Sequence, residues 1–312
     1  MQLRVLPLGT SAGRPTLVRG ASALAVQAER GWMLCDCGEG AQLSAQRAGL
    51  SLSRLEAVLI THLHGDHFNG LPGLLGTLGL EGRDRPLFVA GPVGLREALD
   101  TLARIGSLGI GFPVVLRELT GDGGDLELPA EIEPSFSVRF APLSHRVPTF
   151  GFRLSTPSRP GTLDVKAALA AGVPSGPLLR DLKEGRTVTL EGGKLVTPEG
   201  LVGPRQPGIA VAYTLDTVPC AAAVELGRGA DLLVHEATYE HGRAALARDR
   251  GHSSGVEAAQ IAAKAGARSL LLTHFSPSVV VEQVADEARA VHEQTFAAAD
   301  GVPVELSAAR PA

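Results

Sequence analysis

Residues 61–70 read THLHGDHFNG and follow the apolar run Leu55–Ile60 (LEAVLI). Three histidines and an aspartate, His62, His64, Asp66 and His67, thus fall within six residues at the end of a strand-like segment. Burying even one such group costs free energy unless a partner satisfies it. A cluster of four demands a shared partner, and a metal ion answers that demand. In near-extended backbone, positions 62 and 64 point the same way, so two imidazoles can grip one ion. Asp66 and His67 follow the turn at Gly65 and can point toward a second ion.

Four ligands cannot complete two coordination shells, and the rest of the chain supplies others beside strand ends. His145 follows VRFAPLS, Asp216 follows AVAYTL and His274 follows SLLLT. An aspartate can offer one oxygen to each of two ions, which makes Asp216 the natural bridge. Neutral imidazoles and carboxylates suit zinc where thiolates are absent, although manganese or iron can use similar ligands. Seven protein ligands and a shared water would serve two ions about 3.5–4 Å apart, as in two-metal hydrolytic sites. Taken singly, His145 or His274 would read as an ordinary core or surface histidine.

The surrounding sequence supports a globular α/β chain. Of its 312 residues 44% are hydrophobic and 20% charged, enough for one large core or two modest ones. QLRVLPLG, ASALAVQA, GWMLCDCG and LEAVLITH read as strands, and Glu39–Ala48 as a helix stopped by Gly49. GIAVAYTLD, ADLLVHEA and RSLLLTHF repeat the pattern in the C-terminal half. Two strand-rich halves with helices outside suggest a layered α/β sandwich rather than a barrel. No apolar run reaches the roughly 18 residues of a membrane span. The opening MQLRVLPLGTSAG reads as a first strand, not a secretory signal. Cys35, Cys37 and Cys220 fit apolar packing in a reducing cytoplasm, and Cys-x-Cys is half a thiolate site without a second half.

A net charge of −4 argues against non-specific polyanion binding but leaves a local basic surface open. Such a stretch exists. Residues 153–205 are rich in Gly and Pro and carry eight Lys/Arg against five acids, a balance of +3. The composition fits a solvated insertion and equally an arm that reaches for a polyanion.

THLHGDHFNGLPGLL resembles the metallo-β-lactamase superfamily motif. LGTSAGRPT, CDCGEG, LSHRVPTFGFRL, GVPSGPLL, AYTLDT, HEAT, GHSS and LLTHFSP resemble the ribonuclease Z branch and span nearly the whole chain in order. The resemblance implies a single domain over 1–312 with a four-layered αβ/βα sandwich, residues 153–206 forming an inserted exosite-like arm. It implies two zinc ions per subunit, one on His62, His64 and His145, the other on Asp66, His67 and His274, with Asp216 bridging. The activity implied is a cytoplasmic, homodimeric endonuclease that removes 3′ extensions from precursor tRNA, a water shared by the ions being the nucleophile and Asp66 its proton acceptor. One subunit's arm would grip tRNA for the other's centre. Asp36 would support the ligand loop through hydrogen bonds without touching metal.

GHSSGVEAAQIAAKAGA adds a proton donor. Ser254 and Glu257 form a capping box before an Ala-rich helix that ends at Gly266. His252 then sits just before a helix N-terminus, a place that attracts phosphate, and can protonate the leaving 3′-oxygen, with Glu236 orienting it. His235 reads as a core or supporting residue, and His241 and His292 as surface positions.

Two stretches depart from the ribonuclease Z pattern: Leu215 replaces a Gly before the bridging Asp, and Pro15–Gly20 keeps only the Pro and Arg of Pro-x-Lys-x-Arg-Asn. A superfamily phosphodiesterase or other hydrolase of small molecules would keep the metal site without the basic arm. An idle RNA-binding scaffold would keep metals for stability alone.

Overall fold

A computed structural model describes residues 2–307. The chain divides into one unit of residues 1–155 and 209–312 and a second of Thr156–Gly208.

In the first unit, β1 (Gln2–Gly9), β2 (Ala23–Gln27), β3 (Trp32–Cys35), β4 (Leu55–Leu59), β5 (Leu87–Pro92) and β6 (Val114–Leu119) build one sheet in sequence order. β7 (Gly124–Leu126), β8 (Ser137–Pro142) and β9 (Phe150–Ser155) open a second sheet. The hairpin β10 (Val188–Thr189) and β11 (Leu195–Val196) belongs to the second unit. β12 (Ala210–Thr214), β13 (Leu232–Glu236), β14 (Leu270–Thr273) and β15 (Thr295–Ala297) extend the second sheet to the order 15-14-13-12-9-8-7. β16 (Val304–Ser307) returns to pair antiparallel with β1.

The helices are α1 (Ala41–Arg47), α2 (Gly65–Phe68), α3 (Leu71–Leu80), α4 (Leu95–Arg104), α5 (Val165–Ala170), α6 (Pro177–Lys183), α7 (Ala221–Gly227), α8 (Ala244–Asp249), α9 (Gly255–Ala265) and α10 (Val281–Arg289). None is long and apolar enough to cross a membrane.

Strand alternation sorts the apolar residues into layers. Met33, Cys35, Ala57 and Leu59 of the first sheet face Phe152, Leu154, Val211, Tyr213 and Val234 of the second in one core. The outer faces, with residues such as Leu34 and Val58 or Ala212 and Leu233, are covered by α1, α3 and α4 on one side and α7, α9 and α10 on the other. The result is the expected four-layered sandwich. Each fully buried Leu or Phe contributes roughly 1.5–3 kcal/mol.

β3 to β6 and β12 to β15 run parallel within their sheets. Parallel strands present their C-terminal ends on one edge, where loops can bring distant side chains together. β4 ends before His62, β12 before Asp216 and β14 before His274, while β3 ends before Asp36. Leu215, where the pattern has Gly, is 1% exposed and packs between the sheets.

The second unit encloses its own small core of Ala168, Val173, Leu182, Val188 and Val196, so it is not a loosely packed loop. Lys166, Arg180, Lys183, Arg186, Lys194 and Arg205 are exposed on it. Arg153, counted with the basic stretch from sequence, lies instead in β9, where its guanidinium donates to the carbonyls of Leu226 and Arg228. The unit itself therefore holds seven Lys/Arg against five acids.

Candidate metal centre

The structure brings all seven expected ligand residues to one edge of the sandwich in two sets. Ligand atoms of His62, His64, His145 and Asp216 lie within 4.8 Å of one another, as do those of Asp66, His67 and His274. Asp216 belongs to both by distance. Its Oδ2 lies 3.5 Å from His62 Nε2 and 3.9 Å from His145 Nε2, whereas Oδ1 lies 3.4 Å from His67 Nε2 and 3.2 Å from His274 Nε2. In the second set Asp66 Oδ2 is 3.4 Å from each histidine Nε2, and the two Nε2 atoms are 3.2 Å apart. A tetrahedron built on 2.0–2.1 Å bonds has edges of about 3.3 Å.

Hydrogen bonds fix which imidazole nitrogen is bare. His67 Nδ1 donates to Asp36 Oδ2 at 2.7 Å. Thr61 Oγ1 gives its proton to Asp36, 2.9 Å away, and so accepts from His62 Nδ1, also at 2.9 Å. His145 Nδ1 donates to the Gly251 carbonyl at 2.7 Å. Thr238 Oγ1 donates to Glu236 Oε2 at 2.5 Å and accepts from His274 Nδ1 at 3.1 Å. Each of these four rings therefore turns Nε2 into the cluster, to carry a proton there or to give its lone pair to a cation.

Where neither a proton nor a cation intervenes, converging lone pairs repel. His62 Nε2 faces His64 Nδ1 at 2.9 Å, and His67 Nε2 faces His274 Nε2 at 3.2 Å. His145 Nε2 and Asp216 Oδ1 are buried without a hydrogen-bond partner. Burial lowers the proton affinity of His67, but the charges of Asp216 and Asp36 outweigh it and raise the value well above 6.5. Burial, reinforced by neighbouring imidazoles, pushes His62 far down. The cluster is short of positive charge, and its donor set fits divalent ions of zinc's preference.

The approach of two loops sets the cluster. The Cys37 amide donates to the His67 carbonyl and the Gly70 amide to the Cys37 carbonyl, at 2.8 and 2.9 Å. A Cβ on Gly70 would stand 2.0 Å from the Gly38 carbonyl oxygen, so the HFNG turn requires glycine there. Asp36, Asp216 and His274 adopt left-handed backbone with φ 58, 53 and 56. That conformation costs about 1 kcal/mol or more per residue and turns each side chain off its strand end into the site.

Asp36 is fully buried and touches no candidate ligand atom of the inner sets; it receives His67 Nδ1, the Thr61 amide and hydroxyl, and the Tyr213 hydroxyl. Glu236 is also fully buried, and its Oε1 lies 3.0 Å from His252 Nδ1. It further accepts the Thr217 amide at 2.7 Å and the Ser253 amide at 3.1 Å. Burial would raise Glu236, but the charge and hydrogen bond of His252 bring it to about 2. His252 would fall on burial, yet Glu236 lifts it to about 9.

Two expectations are corrected, at the start of α9 and at His292. The N-terminus of α9 is not an open phosphate seat. The Ser254 amide goes to Glu257 Oε2, the Gly255 amide to the Tyr239 carbonyl and the Glu257 amide to Ser254 Oγ, so the capping box spends these donors. His292 is half-buried and bonded to the Ala267 carbonyl rather than free at the surface. His235 is buried outside both sets, its Nδ1 on the Glu236 carbonyl. Burial, reinforced by the Asp36 charge, raises the thiols of Cys35 and Cys37, which pack in the apolar cores as expected. Thr61, Tyr213, Thr217, Thr238 and the Gly251 carbonyl escaped sequence reading. Thr238 stood within HEAT, Gly251 within GHSS, and Tyr213 and Thr217 within AYTLDT, but nothing in these stretches pointed to the bonds they make.

The metallo-β-lactamase superfamily profile matches residues 16–87. A ribonuclease Z of Synechococcus sp. is 41% identical over 98% of this chain and 97% of its own length. A ribonuclease Z of Acaryochloris marina is 39% identical over 96% of each. The crystal structure of human tRNase Z, short form, matches with a TM-score of 0.67 at 27% identity, covering 98% of this chain and 100% of that one.

Proposed function

Because the chain belongs to the ribonuclease Z family, we propose that its His/Asp centre holds two zinc ions and removes 3′ extensions from precursor tRNA. The activity class follows from membership: a metal-dependent tRNA 3′-processing endonuclease that hydrolyses a phosphodiester. On our reading His62, His64 and His145 would hold one ion and Asp66, His67 and His274 the other. The division of Asp216, Oδ2 toward the first set and Oδ1 toward the second, is the observation that carries this assignment.

Two such ions, when bound, lower the pKa of a shared water and neutralise charge on the phosphate oxygens. The chain's own groups do the rest. Burial would raise Asp66, but hydrogen bonds and charges from His274 and His67 hold its carboxyl far below the usual range. It is therefore ionised and can only accept; the Gly13 amide fixes its Oδ2 at 2.7 Å, and on our reading the carboxylate accepts the attacking water's proton. His252 keeps a proton on Nδ1 for Glu236 and offers Nε2–H to the leaving 3′-oxygen. Asp36 holds His67 in the tautomer that leaves Nε2 bare.

The second unit, with six exposed basic side chains, is assigned the grip on tRNA, in a cytoplasmic homodimer whose subunits serve each other's centres. Incubating zinc-loaded protein with a 3′-extended precursor tRNA tests the reading. One cut near the base of the acceptor stem, absent in Asp66→Ala, is expected. No cut by protein shown to carry zinc would sink it.

A further inference from the structure

We propose that Arg146 is the protein's own cation for the scissile phosphate, its guanidinium receiving a non-bridging phosphate oxygen at the rim of the metal centre. This rests on the phosphodiesterase reading above.

Other arginines near the centre each make at least one bond within the chain, Arg14 to the Pro15 carbonyl at 3.5 Å. Arg19 donates to the Ser276 carbonyl, Arg248 pairs with Glu257, and Arg250 donates to the Tyr239 hydroxyl. Arg146 directly follows His145, is exposed, and has no hydrogen bond or ion pair among the described residues. An unpaired guanidinium fork next to a hydrolytic centre matches the geometry of two phosphate oxygens.

Its stem is seated rather than loose. Gly251 has left-handed backbone (φ 78). A Cβ there would stand 2.8 Å from His145 Nδ1 and 3.2 Å from Arg146 Cγ. The absent side chain lets the His145 ring reach the Gly251 carbonyl and lets the Arg146 stem lie against the same glycine. One residue thus seats a candidate ligand and the guanidinium beside it.

The position also spans the reaction. His64 belongs to the first ligand set, and His252 is the assigned proton donor. Gly251 joins the two sides of the site, since its carbonyl takes His145 Nδ1 of that set and it directly precedes His252. Arg146, its stem against that same glycine, stands at the rim between the first ligand set and the proton donor.

The test compares zinc-loaded wild type, Arg146→Ala and Arg146→Lys. Zinc content, calorimetric affinity for inorganic phosphate, and kcat/KM on bis(p-nitrophenyl) phosphate and on precursor tRNA are measured. Zinc content should be unchanged. In Arg146→Ala, phosphate affinity should weaken about tenfold and kcat/KM should fall roughly 10- to 100-fold on both substrates. Lysine should restore part of each loss, because it keeps the charge without the fork. Weaker phosphate binding in Arg146→Ala would uphold the assignment even if wild type left tRNA uncut, an outcome that sinks only the tRNA reading. Unchanged phosphate affinity in Arg146→Ala would overturn the assignment. So would loss of zinc, by showing that Arg146 acts through His145.

Discussion

Asp216 and His274 close two strands that both neighbour β13, and each turns into left-handed backbone there, bringing Oδ1 and Nε2 to 3.2 Å. The other oxygen of Asp216 serves the opposite set, at 3.5 Å from His62. Removing this carboxylate should therefore disturb both sets, whereas removing His145 should disturb one. Asp216→Ala is expected to release both ions, and His145→Ala about one of the two. Metal analysis after gel filtration reads this directly; a His145→Ala protein stripped of all metal would contradict the division.

Asp36 gathers four donors without touching the candidate ions. Asn at this position would set an NH2 group against the Thr61 amide on the Oδ1 side, or against His67 Nδ1–H and the Tyr213 hydroxyl on the Oδ2 side. On the Oδ2 side His67 loses the bond that fixes its tautomer, and on either side a neutral amide no longer supplies the charge that His67 Nδ1–H faces. Asp36→Asn should weaken metal affinity roughly 10- to 100-fold, measured by competition with a chromophoric chelator. Tyr213→Phe, which removes one donor and keeps the carboxylate, should cost far less.

The sandwich was legible because apolar, strand-like runs were closed by Gly or Pro, and the ligand cluster because four donors fell within six residues. Asp216 and His274 were legible only by their places after apolar strands. The hydrogen-bond partners were not, since Tyr213 lies 177 residues from Asp36 and its hydroxyl points into a core that composition describes as apolar. The N-terminus of α9 misled for a related reason. A capping box satisfies the same amides that a phosphate would use, so Ser254 and Glu257 argue against an anion seat there even as they locate the helix. Arg153 misled by composition, since a charge count cannot distinguish a strand arginine bonded to carbonyls from one on an exposed surface.

The Glu236–His252 pair gives the metal-free protein a pH window. Glu236 is lowered from 4.5 to about 2, so its contribution to stability is present above 4.5 and lost as pH falls toward 2. His252 is raised from 6.5 to about 9, so its contribution is complete below 6.5 and lost as pH rises through 9. The pair therefore stabilises most between 4.5 and 6.5. In chelator-treated protein, the melting-temperature gap between wild type and Glu236→Gln should be widest there and narrow by about 2–4 °C toward pH 9. A gap independent of pH would show that the pair does not titrate as described.

His252 can be separated from the metal ligands by the leaving group it serves. A 3′-oxygen leaving as an alkoxide needs a proton, and His252 Nε2 is positioned to give one while Nδ1 stays on Glu236, 3.0 Å away. A p-nitrophenolate leaves readily without protonation. His252→Ala should therefore lose roughly 10²- to 10⁴-fold in kcat on precursor tRNA, the range for general-acid catalysis. On bis(p-nitrophenyl) phosphate the same variant should lose less than about tenfold, because no proton is required. Metal content should hold, since Asp216 lies 4.0 Å from His252 Nδ1 and keeps its oxygens on the two sets. Equal losses on both substrates would assign His252 to metal or phosphate binding instead, and Glu236→Gln would then be expected to follow the same pattern.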